Sequence, residues 1–548
     1  MPSADAPDRS TAPSPTLDPH DEVEAFRAAA TTPGQRGPAL PRAPDIAARL
    51  HRAGCTAAAL EVLDIAEENS SGGALRARLS AERLSIRLDD GDVPAELTGV
   101  IGDLLAVADE RLAKGDRRGA ADWLRYALGL TLHRTLHADD LVSPLATDAR
   151  GWMAPFKHAH VYRALRPTRR AHLNRRLSSL RRGRLVHSPH RVLAVTGHGF
   201  HFLEEPLAHI AARADVELRR LDVRSEPHAD RLQDLRILTR ARLESAIGPT
   251  PAPPETELTA ETAEALEWAD TVVVEWCDNA AVWASLTVPA PTRLVIRLHS
   301  IEALSMSVHL VDWSRVDRLI FVAPHLRRLA RAAVPVLRGV PTSVLPNATL
   351  LADIPRTKVP EAARTLALIG WGQAVKDPLY ALEILGRLRL SDDSWRLLLV
   401  GNPFPEHDRT RSEAYRDRVQ ERLARADLAG AVDLVAWTPD LTELFSRVGF
   451  ILSTSLRESF HISLIQAAAS GAVPVVRDWP VVAAYGGPSS FLPKDWVIRT
   501  PAEAAARILD YADPARRSEA GEVASHWVRK RYDWGRVARS YDDVLLGR

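Results

Sequence analysis

From Arg191 to Thr500 the sequence repeats one pattern: a short, almost wholly apolar run, a stretch with helical spacing, then another run. The first series is RVLAVTG (191–197), VELRRLDV (216–223), TVVVEWC (271–277), RLVIRLH (293–299), RLIFVAP (318–324) and TSVLPN (342–347). The second is TLALIGW (365–371), WRLLLVG (395–401), AVDLVAW (431–437), GFILSTS (449–455), VPVVRDW (473–479) and a short edge, WVIRT (496–500). Strands apolar at nearly every position are covered on both faces, and parallel neighbours need a crossover helix between them. The linker after residue 347 divides the series. Two consecutive doubly wound α/β domains are therefore expected, at 191–347 and 348–530, with ligands at the C-terminal ends of their strands. A final helix at 531–548 places Val537, Tyr541 and Val544 on one side.

The region before this series is different. Residues 1–42 are rich in Pro, Ala, Ser and Asp and are expected to be disordered, with one short helix at 22–30. Residues 43–165 are Ala/Leu-rich with helical periodicity and are expected to form a helical domain. Residues 166–191 carry nine arginines and no acid, with Leu173, Leu177 and Leu180 at helical spacing. The segment 166–190 reads as a basic amphipathic linker able to lie on anionic lipid headgroups, or as a solvated connector. The net charge of +1 gives no global attraction to nucleic acid, so none is expected as a partner. Cys55 and Cys277, the only cysteines, support neither a disulfide framework nor a cysteine zinc site, and no metal centre is expected. With neither a signal pattern nor an 18-residue apolar run, the protein reads as cytoplasmic.

The chemistry concentrates at TSLRESFHISLIQAAASGAVP (454–474). The strand run 449–455 leads into it and a helix begins after Arg457, with Ile462, Ile465 and Ala469 on one face and Gly471 at its end. The turn offers the carboxylate of Glu458 and the amides of Ser459, Phe460 and His461 at a helix N-terminus. Unpaired amides and the helix dipole both favour an anion such as a diphosphate. A second loop, Gly370-Trp371-Gly372-Gln373-Ala374-Val375-Lys376-Asp377-Pro378, follows another strand and opens another helix. In the first domain, Gly197-His198-Gly199-Phe200 follows the first strand, and His299 ends the fourth. The glycine loop is not the full GxGxxG fingerprint, which disfavours NAD.

Tandem Rossmann-like domains with an acidic strand–helix turn in the second resemble the GT-B glycosyltransferases, and more narrowly the retaining enzymes of glycosyltransferase family 4, over residues 191–548. The resemblance implies an α/β fold of two tandem Rossmann-like domains (GT-B), here preceded by an α-helical N-terminal domain. It implies that Glu458 contacts the donor sugar and Lys376 clamps the diphosphate. His299 would approach the donor across the cleft, Gly199 would lie near the phosphates and acceptor, and Trp437 near the nucleotide base. The family's second glutamate is Gln466 here, still able to hydrogen-bond a ribose. The family's arginine is Trp371, so one cation is lost, with Arg457 or an arginine from the other domain as compensation. Glu275 and Asp278 are acceptor-side candidates.

The expected reaction is transfer of a hexose-like sugar from a nucleoside-diphosphate sugar to a glycan or lipid-linked hydroxyl acceptor with retention, in cell-wall or surface-polysaccharide biosynthesis. No cofactor beyond the sugar nucleotide is expected. The place of action is the cytoplasm, or the inner face of the cell membrane if residues 166–191 bind anionic lipid. A GT-B relative that binds sugar nucleotide or scaffolds glycan assembly without turnover is the alternative, and a nucleotide-sugar epimerase a third reading.

Overall fold

The computed structural model describes residues 18–137, 143–166, 187–248, 258–405, 412–438 and 440–547. The chain divides between Thr135 and Leu136 into two compact units. The first is helical: Pro19–Thr31, Ala43–Arg52, Thr56–Glu68, Gly73–Asp89, Leu97–Ala113 and Arg117–Thr131 are its main helices. Residues 19–42 are not disordered. Asp18 caps a helix with Pro at its first position, and Val23, Phe26 and Ala30 recur at helical spacing on its buried face. With Leu40 they join Ile46, Leu50, Val62 and Leu63 in one core, an apolar stripe that the average composition concealed.

The second unit holds the two α/β domains, and it also takes the helices after Thr135. The expected helical domain through residue 165 is thus divided. Phe156 and Val161 are buried, the Tyr162 hydroxyl lies 2.7 Å from His309 Nδ1, and Arg242 donates to the Leu165 carbonyl. Most of the basic segment, 167–186, lies outside the described residues. Among the described residues no helix is long and apolar enough to cross a membrane.

The first sheet comprises β1 (His190–Thr196), β2 (Val216–Asp222), β3 (Thr271–Glu275), β4 (Arg293–Leu298), β5 (Arg318–Phe321) and β6 (Thr342–Val344), in the order β2-β1-β3-β4-β5-β6. Every pairing is parallel. The second comprises β7 (Thr365–Ile369), β8 (Arg396–Val400), β9 (Val432–Val435), β10 (Phe450–Ser453), β11 (Val473–Arg477) and β12 (Val497–Ile498), in the order β12-β11-β10-β7-β8-β9, again all parallel. Strand order reverses between β1 and β3 in the first domain and between β7 and β10 in the second. In open parallel sheets such switch points leave a crevice outside the carboxyl ends of the strands.

After Pro514–Tyr532 the chain returns to the first domain beside the linker that left it, with Trp534 N donating to Thr349 O. The last helix, Trp534–Leu545, sinks Val537, Tyr541, Val544 and Leu545 into the core under β1, β3, β4 and β5. The Tyr541 hydroxyl donates to the Pro346 carbonyl over 2.6 Å. These two tandem doubly wound domains, joined at one linker and closed by a returning helix, form the GT-B architecture.

Candidate active site

At the second switch point, the loops after β7 and β10 are tied to each other. Leu456 N donates to Val375 O over 2.8 Å, and the Thr454 hydroxyl donates to Lys376 O over 2.6 Å. Gly372 lets the first loop press against its neighbour: a Cβ there would lie 2.1 Å from Asn402 O. Together these contacts bring Lys376 Nζ within 2.6 Å of Glu458 Oε1, which also accepts from Ser455 Oγ over 2.7 Å. The Glu458 side chain is 11 % exposed. Burial alone would push its carboxyl up, but Lys376, His461 and Ser455 prevail and hold it at about 2, so it is a carboxylate at neutral pH.

The second helix begins at Ile462, not directly after Arg457. Phe460 is the reason. It is buried, stacked on Phe491 at 5.7 Å and edge-on to Tyr532, which anchors residues 455–460 as an irregular turn. His461 then enters the helix in the left-handed region at φ 63°, its Nδ1 2.7 Å from the Ser453 hydroxyl. Burial pushes its imidazole down to about 4, leaving it neutral. The amides of Ser459, Phe460 and His461 have no hydrogen-bond partner among the described residues. Gln466, one turn into the helix and half-buried, likewise makes no side-chain hydrogen bond among them.

Trp371 is a packing residue, buried edge-on to Phe404 in the core of the second domain. Arg457 reaches the His137 carbonyl at 3.4 Å. The cation that sequence reasoning missed is Arg477, at the end of β11. It donates to Asp377 Oδ2 at 2.6 Å and Thr454 O at 3.1 Å, and lies 4.2 Å over the Tyr380 ring. Asp377 itself is left-handed at φ 47° and immediately follows Lys376, so this guanidinium braces both loops. Its place at the end of an apolar run was the available signal. Trp437 is not brought to this cluster: it is half exposed beyond β9, the sheet edge two strands from β7.

At the first switch point, Thr196 Oγ1 accepts the amides of His198 and Gly199 and donates to Gly199 O. Trp276 Nε1 donates to the same carbonyl over 3.0 Å, its own backbone at φ 74°. His299 is closed off between Trp276, at 4.2 Å, and Phe202, at 5.1 Å, and is 2 % exposed. Its Nε2 donates to Glu275 Oε1 at 3.0 Å. Glu275 is fully buried and takes Arg297 at 2.6 Å, and the guanidinium also donates to the Phe202 carbonyl, Asn347 and Tyr541. Although burial opposes it, Arg297 and His299 hold this carboxyl below its usual range. Glu275 thus belongs to a buried structural network rather than to an acceptor surface.

Asp278 is better placed. It caps the helix Asn279–Thr287, and a Cβ on Gly197 would lie 2.9 Å from its Oδ2. Burial, then the Glu302 charge, push its carboxyl up to about 7. Glu302 in turn accepts the amides of Cys277 and His299.

No protein-family model matches the chain. No curated protein matches it either. Among solved structures, TarM of S. aureus shares 14 % identity over 50 % of this chain and 54 % of its own, with a TM-score of 0.42. Sucrose-phosphate synthase from Thermosynechococcus elongatus shares 17 % over 65 % of this chain and 98 % of its own, at 0.46. HepE of Anabaena, solved in complex with UDP, shares 14 % over 66 % of this chain and all of its own, at 0.49. The match thus spans 54 % of TarM's length.

Proposed function

We propose that the chain is a retaining glycosyltransferase that moves a sugar from a nucleoside-diphosphate sugar to a hydroxyl of a glycan or lipid-linked acceptor, in the synthesis of a wall glycopolymer or surface polysaccharide. The observation that carries this reading is the Lys376–Glu458 pair at the β7/β10 switch point, beside three amides without a partner among the described residues. A cation and free N–H groups suit a diphosphate, and a carboxylate that stays ionised suits sugar hydroxyls. In this reading Lys376 and the amides of residues 459–461 take up the charge that develops on the leaving diphosphate. Glu458 fixes the donor sugar, Gln466 the ribose, and Trp437 borders the base. His299 acts from beneath Trp276, holding the Gly199 loop that faces the acceptor. The bond from the anomeric carbon to the diphosphate oxygen breaks and the acceptor oxygen bonds to the same face. The acceptor proton passes to the departing diphosphate.

The arginine-rich segment 166–191 would hold the enzyme to anionic lipid at the inner face of the membrane. One observation favours the non-catalytic alternative: Trp371 fills with packing the place where the resemblance implies a cation. Thermal shift with nucleoside diphosphates and their sugars, followed by donor turnover in E458A, decides between them. The expected result is stabilisation by at least one nucleotide and loss of turnover in the variant. Binding without turnover in the wild type would establish the alternative.

A further inference from the structure

The main chain of Glu458 is held by a side chain from the other Rossmann domain. His325 is the second residue of the helix Pro324–Ala333, which opens just beyond β5. Its Nε2 lies 3.0 Å from the Glu458 carbonyl oxygen. A carbonyl only accepts, so Nε2 carries the proton, while Nδ1 has no partner among the described residues. Phe491 stacks on the ring at 5.7 Å and 22°, and Trp479 meets it at 5.8 Å. Burial pushes the imidazole down to about 4, so a single N–H is present at neutral pH.

In a trans peptide the C=O of one residue and the N–H of the next point in opposite directions within one plane. Fixing the Glu458 carbonyl toward His325 therefore aims the Ser459 N–H away from it, and that N–H is one of the unpartnered amides. Were the plane to turn over, the same position would offer a carbonyl oxygen, which repels an anion. We infer that His325 is a positioning residue for the donor diphosphate: it sets the 458–459 peptide so that the second domain's anion-binding amide is presented only while the first domain is packed against it. The inference rests on the donor reading above and adds a cross-domain requirement to it.

The test is calorimetric titration of the full chain with UDP, GDP, ADP and their monophosphates, in wild type, H325Q and H325N. A glutamine amide can stand where Nε2 stands, whereas an asparagine amide stands where Nδ1 does and cannot reach the carbonyl. The diphosphate that binds wild type is expected to bind H325Q within about threefold and H325N about tenfold more weakly, the worth of one charge-assisted hydrogen bond. The matching monophosphate should lose less than the diphosphate. Equal diphosphate affinity in H325Q and H325N overturns the inference and leaves the donor reading standing. Absence of binding by every nucleotide to wild type overturns the donor reading and this inference with it.

Discussion

Replacing Lys376 with methionine leaves the Glu458 carboxylate, 11 % exposed, facing Ser455 and a neutral His461. In the wild type its carboxyl is held at about 2, against 4.5 for a free one. A difference of that size is worth about 3 kcal/mol at neutral pH. A carboxyl whose folded pKa is depressed stabilises the fold above its unfolded value and loses that contribution as pH falls through the folded value. The wild-type contribution is therefore intact from about pH 5 upward. Without the lysine, burial prevails, the folded pKa moves above 4.5, and the sign reverses. The ionised group then opposes folding at neutral pH, and protonation relieves it in mild acid. For an α/β unit of roughly 400 residues, loss of about 3 kcal/mol alone lowers the melting temperature by about 3–4 °C, and the reversed contribution adds to it. Thermal unfolding of the ligand-free protein at about pH 7.5 and about pH 5 measures this. K376M should show the full deficit at the higher pH and a smaller one at the lower. The double variant K376M/E458Q should melt close to E458Q alone. A deficit identical at both pH values, or two substitutions that simply add, would refute the pairing.

Two further outcomes follow from the first domain. E275Q strands the fully buried Arg297 guanidinium without its anion and should cost about 3–5 kcal/mol in urea unfolding, with E275L/R297M costing less than the sum of its single changes. Asp278, facing Glu302, Arg224 and Cys277, has its carboxyl raised to about 7, so the stability it contributes should fall as pH rises from about 4 to about 7. D278N keeps a capping side chain that does not titrate, and its stability relative to wild type should grow over that interval. A difference that does not change with pH would show that Asp278 is ionised throughout.

The strands were recoverable because buried parallel strands leave near-continuous apolar runs: eleven of the twelve lie within the runs seen in the sequence, and β1 begins one residue earlier, at His190. Local periodicity also carried the helix of 462–469, but not its start. That start is set by Phe460 settling against Phe491 and Tyr532, contacts made across 31 and 72 residues of chain. Similarly, nothing local marks His325 as a neighbour of Glu458 or Arg477 as the brace of Asp377, since each pairing depends on how loops from separate strands converge. His299 shows the converse. A histidine at a strand end has the pattern of a cleft residue, yet the Glu275–Arg297 pair and the Trp276 ring enclose it. The helix at 22–30 was legible, but that residues 19–42 are ordered and join the core was not, because composition averages away the Val23, Phe26, Ala30 stripe.

Synthesis proceeds from β1 toward the second domain, and at about 5–20 residues per second the stretch from β6 to Trp534 takes about 10–40 s to emerge. Throughout that interval the inner face of β1, β3, β4 and β5 lacks Val537, Tyr541, Val544 and Leu545, and Arg297 lacks the Tyr541 hydroxyl. The domain translated earlier can pair its strands but cannot seal its core, while the domain translated later already holds its own apolar residues. The nascent protein thus displays an open hydrophobic seat on the ribosome, a natural place for a chaperone to wait until the last helix arrives.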